Sequence, residues 1–193
     1  MNETPGPGPR CYFGFRSPYS RLGLHKLARA GYNGELIAFT GPPDDAGGFA
    51  DPTANKYKLA YAIHDVARMT ARMKLPITLP EPFDVDFAPA NRAFQAAKRE
   101  GAAMGFALSV SDARWADGLD ISDPAVLAEC ALRSGWEPPE FDALEADAEI
   151  NAMFKADRAK IAADGVFGVP FLVDDGQPYW GHDRFDLWIE AKT

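Results

Sequence analysis

Near the start of the chain stands Ser17-Pro18-Tyr19-Ser20, a turn with a hydroxyl at each end that leads into a helix. Backbone N–H groups and the helix dipole stabilise an anion at such a place, and a serine hydroxyl can donate to it. Ser17 reads first as the cap of the helix it precedes, with Pro18 in the first turn, and the two roles are compatible. At the other end, Val169-Pro170 precedes a short apolar run, and Trp180-Gly181-His182-Asp183 opens a last helix. Val169-Pro170 alone reads as a proline opening an edge strand. Asp183 is a helix cap or a carboxylate able to pair with a cationic ligand group. Asn55 is equally a cap, and Lys56, Lys58 and Tyr61 after it form a solvated face or the wall of a cleft. His25 and His64 read as satisfied or exposed helix residues. The two cysteines, Cys11 and Cys130, lie far apart, with no C-x-x-C and no Cys/His cluster at metal-ligand spacing. They read as buried filler, and no metal site is expected.

The elements that would position these residues follow from pattern and punctuation. Residues 11–15 make a short buried strand, residues 19–30 a helix stopped by Gly31, and residues 35–40 a second strand. Strand, helix, strand in so short a stretch is a βαβ unit and implies parallel strands. Residues 41–54 form a Gly/Pro/Asp loop, long enough to be functional or mobile. Helical patterns then cover 55–73, 90–104 and 105–116, with Pro-punctuated, irregular chain at 76–89. Ser122-Asp123-Pro124 starts another helix running to Arg133, and residues 139–148 and 148–163 give two more. Strand character returns at Phe171 to Val173, with a turn at Asp174-Asp175-Gly176-Gln177 and a return strand from Pro178. Gly181-His182-Asp183 opens a helix from Arg184 to Lys192. The layout is α/β: a thioredoxin fold with an all-helical insertion between its βαβ and ββα halves. The boundaries expected are 11–42 for the first half, 43–155 for the insertion and 156–193 for the second half, with 1–10 a flexible tail.

Composition narrows the function. Hydrophobic residues make up 47% of 193, enough for a core and against dominant disorder. The formal net charge of −8, with no basic run, disfavours nucleic acid, although the same charge also simply keeps a domain soluble. No apolar run has the length of a membrane span, and Met1 to Arg10 carries no apolar stretch of a signal peptide. The cytoplasm is the expected compartment, where a Cys11–Cys130 disulfide is not.

The segment Tyr12-Phe-Gly-Phe-Arg-Ser-Pro-Tyr-Ser20 resembles the first strand and turn of the 2-hydroxychromene-2-carboxylate isomerases and kappa-class glutathione transferases. Gly165-Val-Phe-Gly-Val-Pro-Phe-Leu-Val173, followed by Tyr179-Trp-Gly-His-Asp-Arg184, resembles the C-terminal half of the same family. Asp120 to Pro124 and the Asn55 to Arg68 helix add to the likeness, which covers nearly the whole chain past residue 10. The fold's relatives include DsbA-like oxidoreductases, whose C-x-x-C sits where this chain has Ser17 to Ser20. Two hydroxyls cannot exchange disulfides.

The resemblance implies a cytoplasmic glutathione-dependent isomerase acting on an aromatic or conjugated small molecule by reversible thiolate addition. Glutathione would be the cofactor, held at Ser17, Val169, Pro170, Trp180, Gly181, His182 and Asp183. Ser17 would be the catalytic residue, donating to the thiolate. A cis Val169–Pro170 bond would present Val169 to the peptide backbone of glutathione, and Asp183 would meet its γ-glutamyl end. Tyr19, Asn55, Lys56 and Lys58 would contact substrate. A homodimer is implied, with no nucleic acid or membrane partner. A kappa-like transferase or peroxidase, a pathway-specific isomerase or cyclase on an aromatic metabolite, and a non-catalytic thioredoxin-fold binding protein are the alternatives. Three features depart from the family pattern: Gly14 where Asp is frequent, His182 where a small or amide residue is expected, and no Lys or Arg at 41–55. An anionic substrate would then look to Arg16, Arg21, Lys56 or Lys58.

Overall fold

The computed structural model describes residues 8–43, 45–46 and 54–192. The first seven residues and much of the 41–54 loop, including Asp44 and Asp51, lie outside the described residues. Four strands form one sheet. Strand β1 (Arg10–Phe13) runs parallel to β2 (Glu35–Ala38) and antiparallel to β3 (Phe171–Asp174), which pairs antiparallel with β4 (Gln177–Trp180). The order is β2-β1-β3-β4. Helix α1 (Pro18–Arg29) crosses between the parallel strands. Helices α2 (Lys56–Arg72), α3 (Ala88–Arg99), α4 (Ala103–Trp115), α5 (Pro124–Arg133) and α6 (Ala148–Ala163) come between β2 and β3 in the chain, and α7 (Phe185–Lys192) follows β4. This is the thioredoxin fold that the sequence pattern leads to.

Side-chain alternation explains why the strands read as unbroken apolar runs. Cys11, Phe13, Leu36, Ala38 and Leu172 join the large core shared with α1, α3, α4 and α7. Tyr12, Ile37, Phe171 and Val173 face the other way and pack with Ile161 of α6 and Val166. Both faces are covered, and the polar groups that the central strand β1 carries, the Arg10 guanidinium and the Tyr12 phenol, are held by Asp164.

Several boundaries differ from the sequence reading. Strand β1 ends at Phe13 because the Gly14 amide donates to Ser20 Oγ, 3.1 Å away, instead of continuing a ladder. The helix break expected at 104/105 falls at 100–102, where Gly101 takes a left-handed φ of 79°. The helix expected at 139–148 is a 3-10 turn, Phe141–Glu145, boxed in by Pro138-Pro139 before it and the Asp147 cap of α6 after it. Helix α6 is continuous from Ala148 to Ala163.

Two contacts fix α1, whose N-terminus matters most below. Its Arg21 is buried, donating to Asp112 of α4 at 2.6 Å and to the Pro76 carbonyl at 2.7 Å. His25, one turn on, meets the same Asp112 oxygen at 2.8 Å. On the opposite side, Gly23 lets α1 approach α7 and Pro170: a Cβ there would lie 2.8 Å from the Phe185 ring and 3.3 Å from Pro170 Cβ. Among the described residues, no helix is long and apolar enough to cross a membrane.

Candidate functional site

The turn 14–17 is tight, with the Ser17 amide donating to the Gly14 carbonyl at 3.0 Å. Ser17 is the N-cap of α1 in extended conformation, and its Oγ accepts from Ser20 N–H at 3.1 Å. Capping uses an acceptor lone pair and leaves the hydroxyl proton available to donate outward. Of the first-turn amides, Pro18 has no N–H, and Ser20 and Arg21 bond back to Ser17. The Tyr19 N–H is left facing the helix end, in the positive field of the dipole. Ser20 is buried and structural, holding Gly14 in place.

The Val169–Pro170 peptide is cis. Val169 is half-buried, and among the described residues neither its N–H nor its C=O takes part in the hydrogen bonds that tie the neighbouring turns together. It packs beside the Ser17 turn, since a Cβ at Gly14 would sit 3.4 Å from Val169 Cγ2. That spacing is at the edge of ordinary contact, so a Cβ at Gly14 meets the Val169 side chain.

The turn 180–183 completes the cluster. Gly181 N–H donates to the Pro170 carbonyl at 2.9 Å, and Gly181 adopts φ 94°. The left-handed φ favours glycine, and a Cβ there would also meet Asp183 Oδ1 at 2.7 Å unless that carboxylate moved. Trp180 is 56% exposed and crosses Phe167 edge-to-face at 4.8 Å. Asp183 is exposed, its Oδ2 held by Arg184 at 2.5 Å. Its other oxygen is the one near Gly181.

His182, whose role the sequence leaves open, is 4% exposed and stacks flat on Tyr19 at 5.5 Å and 8°. Its buried Nδ1 has no hydrogen-bond partner among the described residues. Burial, then the charge of Lys26, lowers its pKa, so the ring is neutral at neutral pH. Tyr19 donates to Asp65 of α2 at 2.8 Å. Burial, then that hydrogen bond, pushes its phenol above the ordinary value.

Ser17, Tyr19, Val169, Pro170, Gly181 and His182 therefore meet at one end of α1. Asn55, Lys56 and Lys58 are exposed at the start of α2. Asn55 Oδ1 caps that helix through Tyr57 N–H and Lys58 N–H, and Lys56 lies over the Tyr57 ring. No contact joins these three to Ser17 among the described residues. Of the cations suggested for an anionic substrate, Arg21 is consumed by Asp112, and Arg16 meets Asp84 at 3.6 Å.

Two residues of the site escape a reading of the sequence. Asp65 fixes Tyr19 from α2, and nothing in the sequence announces a contact across that separation. Lys26 donates to the His182 carbonyl at 3.0 Å and pairs with Asp186 at 2.7 Å. Its spacing of seven from Tyr19 places both on one face of α1, which is the signal that could have found it.

The model of the DSBA-like thioredoxin domain matches residues 10–191. The chain belongs to the DSBA-like thioredoxin domain family. Within it, the chain is 26% identical over 183 residues to a 2-hydroxychromene-2-carboxylate isomerase from Sphingobium xenophagum, covering 91% of this chain and 93% of that protein. It superposes on a solved 2-hydroxychromene-2-carboxylate isomerase with a TM-score of 0.74 at 22% identity, covering 95% of this chain and 93% of that one. A cytosolic disulfide reductase, DsbM from Pseudomonas aeruginosa, solved with GSH, matches with a TM-score of 0.64 at 18% identity over 96% of this chain and 100% of that one. Set beside disulfide-exchanging members of the DSBA-like fold, this chain has hydroxyls at Ser17 and Ser20 and carries its two sulfhydryls elsewhere. Cys11 and Cys130 are both buried and free, and burial pushes both thiols above their ordinary range.

Proposed function

We propose that the protein is a glutathione-dependent isomerase of an aromatic or conjugated small molecule, similar in chemistry to 2-hydroxychromene-2-carboxylate isomerase. The observation that carries this reading is the pairing of a donor-rich, sulfur-free helix start at Ser17 with the unpaired backbone of Val169 beside it.

The residues present fit a γ-glutamyl tripeptide thiol. Val169 offers one N–H and one C=O, the pair that an extended peptide takes in strand addition. The Ser17 hydroxyl proton and the Tyr19 N–H are the donors offered to a thiolate, and donation to the charged form lowers a thiol pKa. Asp183 keeps one carboxylate oxygen outside its Arg184 pair, for an ammonium group. A likeness to DsbM solved with GSH supports the same ligand. When bound, glutathione supplies a thiolate that adds reversibly to the substrate and leaves again once a bond has rotated, so it is not consumed. Ser17 holds that sulfur charged and aimed. Trp180 and Phe167, exposed and crossed at the rim, offer aromatic faces to a flat substrate.

The test is a panel of conjugated aromatic substrates with and without glutathione, following both product and thiol. Isomerised product with the thiol total unchanged is the expected result. Stoichiometric loss of thiol would instead make the protein a transferase of kappa type. Turnover that does not need glutathione contradicts the proposal.

A further inference from the structure

Away from Ser17, α1 and α2 diverge to leave an open groove of about 570 Å3 at their C-terminal ends. Lys26 and Arg29 of α1 and Arg72 and Lys74 at the end of α2 line it, over a floor of Met69 and Met73. Lys26 stands nine residues along α1 from Ser17, about 14 Å at 1.5 Å per residue. The Tyr19–Asp65 hydrogen bond lies between the two places. The groove is thus on the far side of that contact from the helix start.

The basic residues are not explained by helix ends alone. Cations in a last turn complement the dipole, and most helices here have them. Elsewhere most carry carboxylate partners: Arg99 with Asp147, Arg133 with Glu129, Lys160 with Glu35, and Lys192 with Asp174. Arg114 of α4 instead is buried and donates to the Pro82, Phe83 and Leu119 carbonyls. In the groove, Arg29 has only the Met73 carbonyl at 3.3 Å, and Arg72 and Lys74 have no ion pair among the described residues. Lys74 also takes a left-handed φ of 56°, at the position after the helix where glycine is usual. Asp183 and Asp186 enter from the start of α7, with Arg184 and Lys26 as their respective partners. With Asp186 held by Lys26 and Asp183 by Arg184, three of the four lining cations, Arg29, Arg72 and Lys74, have no carboxylate partner among the described residues, in a chain whose net charge is −8.

We propose that this groove binds a dianionic head group on an apolar stem, a dicarboxylate or a phosphate monoester. Arg72 and Arg29 supply planar donors for the paired oxygens, Lys74 closes the charge, and the methionines take the stem. The groove adjoins the thiol site at Asp183, which lines both. Its cations Arg29, Arg72 and Lys74 are not among the residues that would hold the thiol, and the proposal does not depend on the proposed isomerisation.

Calorimetric titration at low ionic strength tests it, with phthalate and phenyl phosphate as probes and benzoate as the monoanionic control. The proteins compared are the wild type, an Arg72→Gln/Lys74→Asn double variant, and Ser17→Ala. Asn tolerates the left-handed backbone at 74, and unchanged melting temperatures establish intact folding. Saturable 1:1 binding of at least one dianion is expected, tighter than benzoate and weaker at high salt. The double variant should bind about tenfold or more weakly. Ser17→Ala should bind unchanged, and glutathione should not compete. The better probe identifies the head group as carboxylate or phosphate. Failure of both dianions to saturate at millimolar concentration, or equal affinity in the double variant, overturns the proposal. Competition by glutathione also overturns it, by making the groove an extension of the thiol site.

Discussion

The two sides of α1 treat polar groups in opposite ways. Toward α4, Arg21 is buried yet fully engaged, with Asp112 and the Pro76 carbonyl as acceptors and His25 sharing the same carboxylate. Toward the Pro170 turn, the charges sit at the exposed rim, in the Lys26–Asp186 and Arg184–Asp183 pairs, and neutral polar groups are left open among the described residues: the Ser17 proton, the Tyr19 N–H, the Val169 backbone and the buried His182 Nδ1. Helix α4 itself leaves Ser109 Oγ, Ser111 Oγ and Arg114 Nε without partners among the described residues, but the two hydroxyls are neutral and the Arg114 guanidinium is held by the Pro82 and Phe83 carbonyls through its other nitrogens. A buried charge without a partner is strongly destabilising, so a scaffold must close its ion pairs. A binding site has to keep groups uncommitted, and the fold tolerates this where they are neutral and near the surface.

That contrast can be broken from either side. The largest effect is expected at Ser17. Ser17→Ala should lower turnover at least about a hundredfold, the usual cost of losing one donor to a developing anion. Its stability should fall by only about 1 kcal/mol, the worth of a cap. Melting and steady-state kinetics on the same preparation separate the two.

Next is Asp112→Ala, which strands Arg21 and should cost about 2 kcal/mol, reduced from the value for a fully buried pair because Asp112 is partly exposed. Burial works against the ionised Asp112 carboxyl, but hydrogen bonds from His25 and Arg21 hold its pKa below the ordinary value. A carboxyl depressed in the fold contributes stability that is present above its unfolded pKa of about 4 and is lost as pH falls through the folded value. Denaturant midpoints measured from neutral pH into acid should therefore converge for wild type and Asp112→Ala.

Gly181→Ala comes third. The clash with Asp183 and the left-handed backbone together should cost about 1–2 kcal/mol, with weaker glutathione binding. The smallest effect belongs to His182→Phe, which keeps the stack on Tyr19 and removes the unpaired nitrogen. At pH 8 its stability should match the wild type within about 1 kcal/mol. The wild type, whose His182 pKa is lowered by burial and Lys26, binds the proton more readily when unfolded. It should lose stability as pH falls below about 6.5, and His182→Phe should lose less. Parallel pH profiles would refute that account of His182.

How far the sequence alone reaches is clear from particular residues. The βαβ unit and the β3–β4 hairpin were legible, because short apolar runs and the Asp175-Gly176 turn are local signals. The Ser17 cap was legible for the same reason, and the α5 cap was narrowed to Ser122 or Asp123, of which Asp123 caps the helix. Gly101 carried the α3–α4 break, yet the Ala-rich pattern around it obscured the boundary. The meeting of Ser17, Val169 and Gly181 was suggested only by family likeness, since no local rule joins residues so far apart. Asp65 under Tyr19, the burial of His182 and the convergence of Lys26, Arg29, Arg72 and Lys74 depend on how α1, α2 and α7 pack. Arg21 looked available to a substrate because its partner, Asp112, is supplied by a distant helix.

The central claim is that the Ser17 end of α1 holds a thiolate. Calorimetric titration with glutathione, read together with the ultraviolet thiolate band at neutral pH, tests it most directly in the wild type and Ser17→Ala. The expected result is saturable binding to both proteins, with the thiolate band present in the wild type and lost in the variant. No binding at millimolar glutathione, or a band of equal strength in Ser17→Ala, would contradict it.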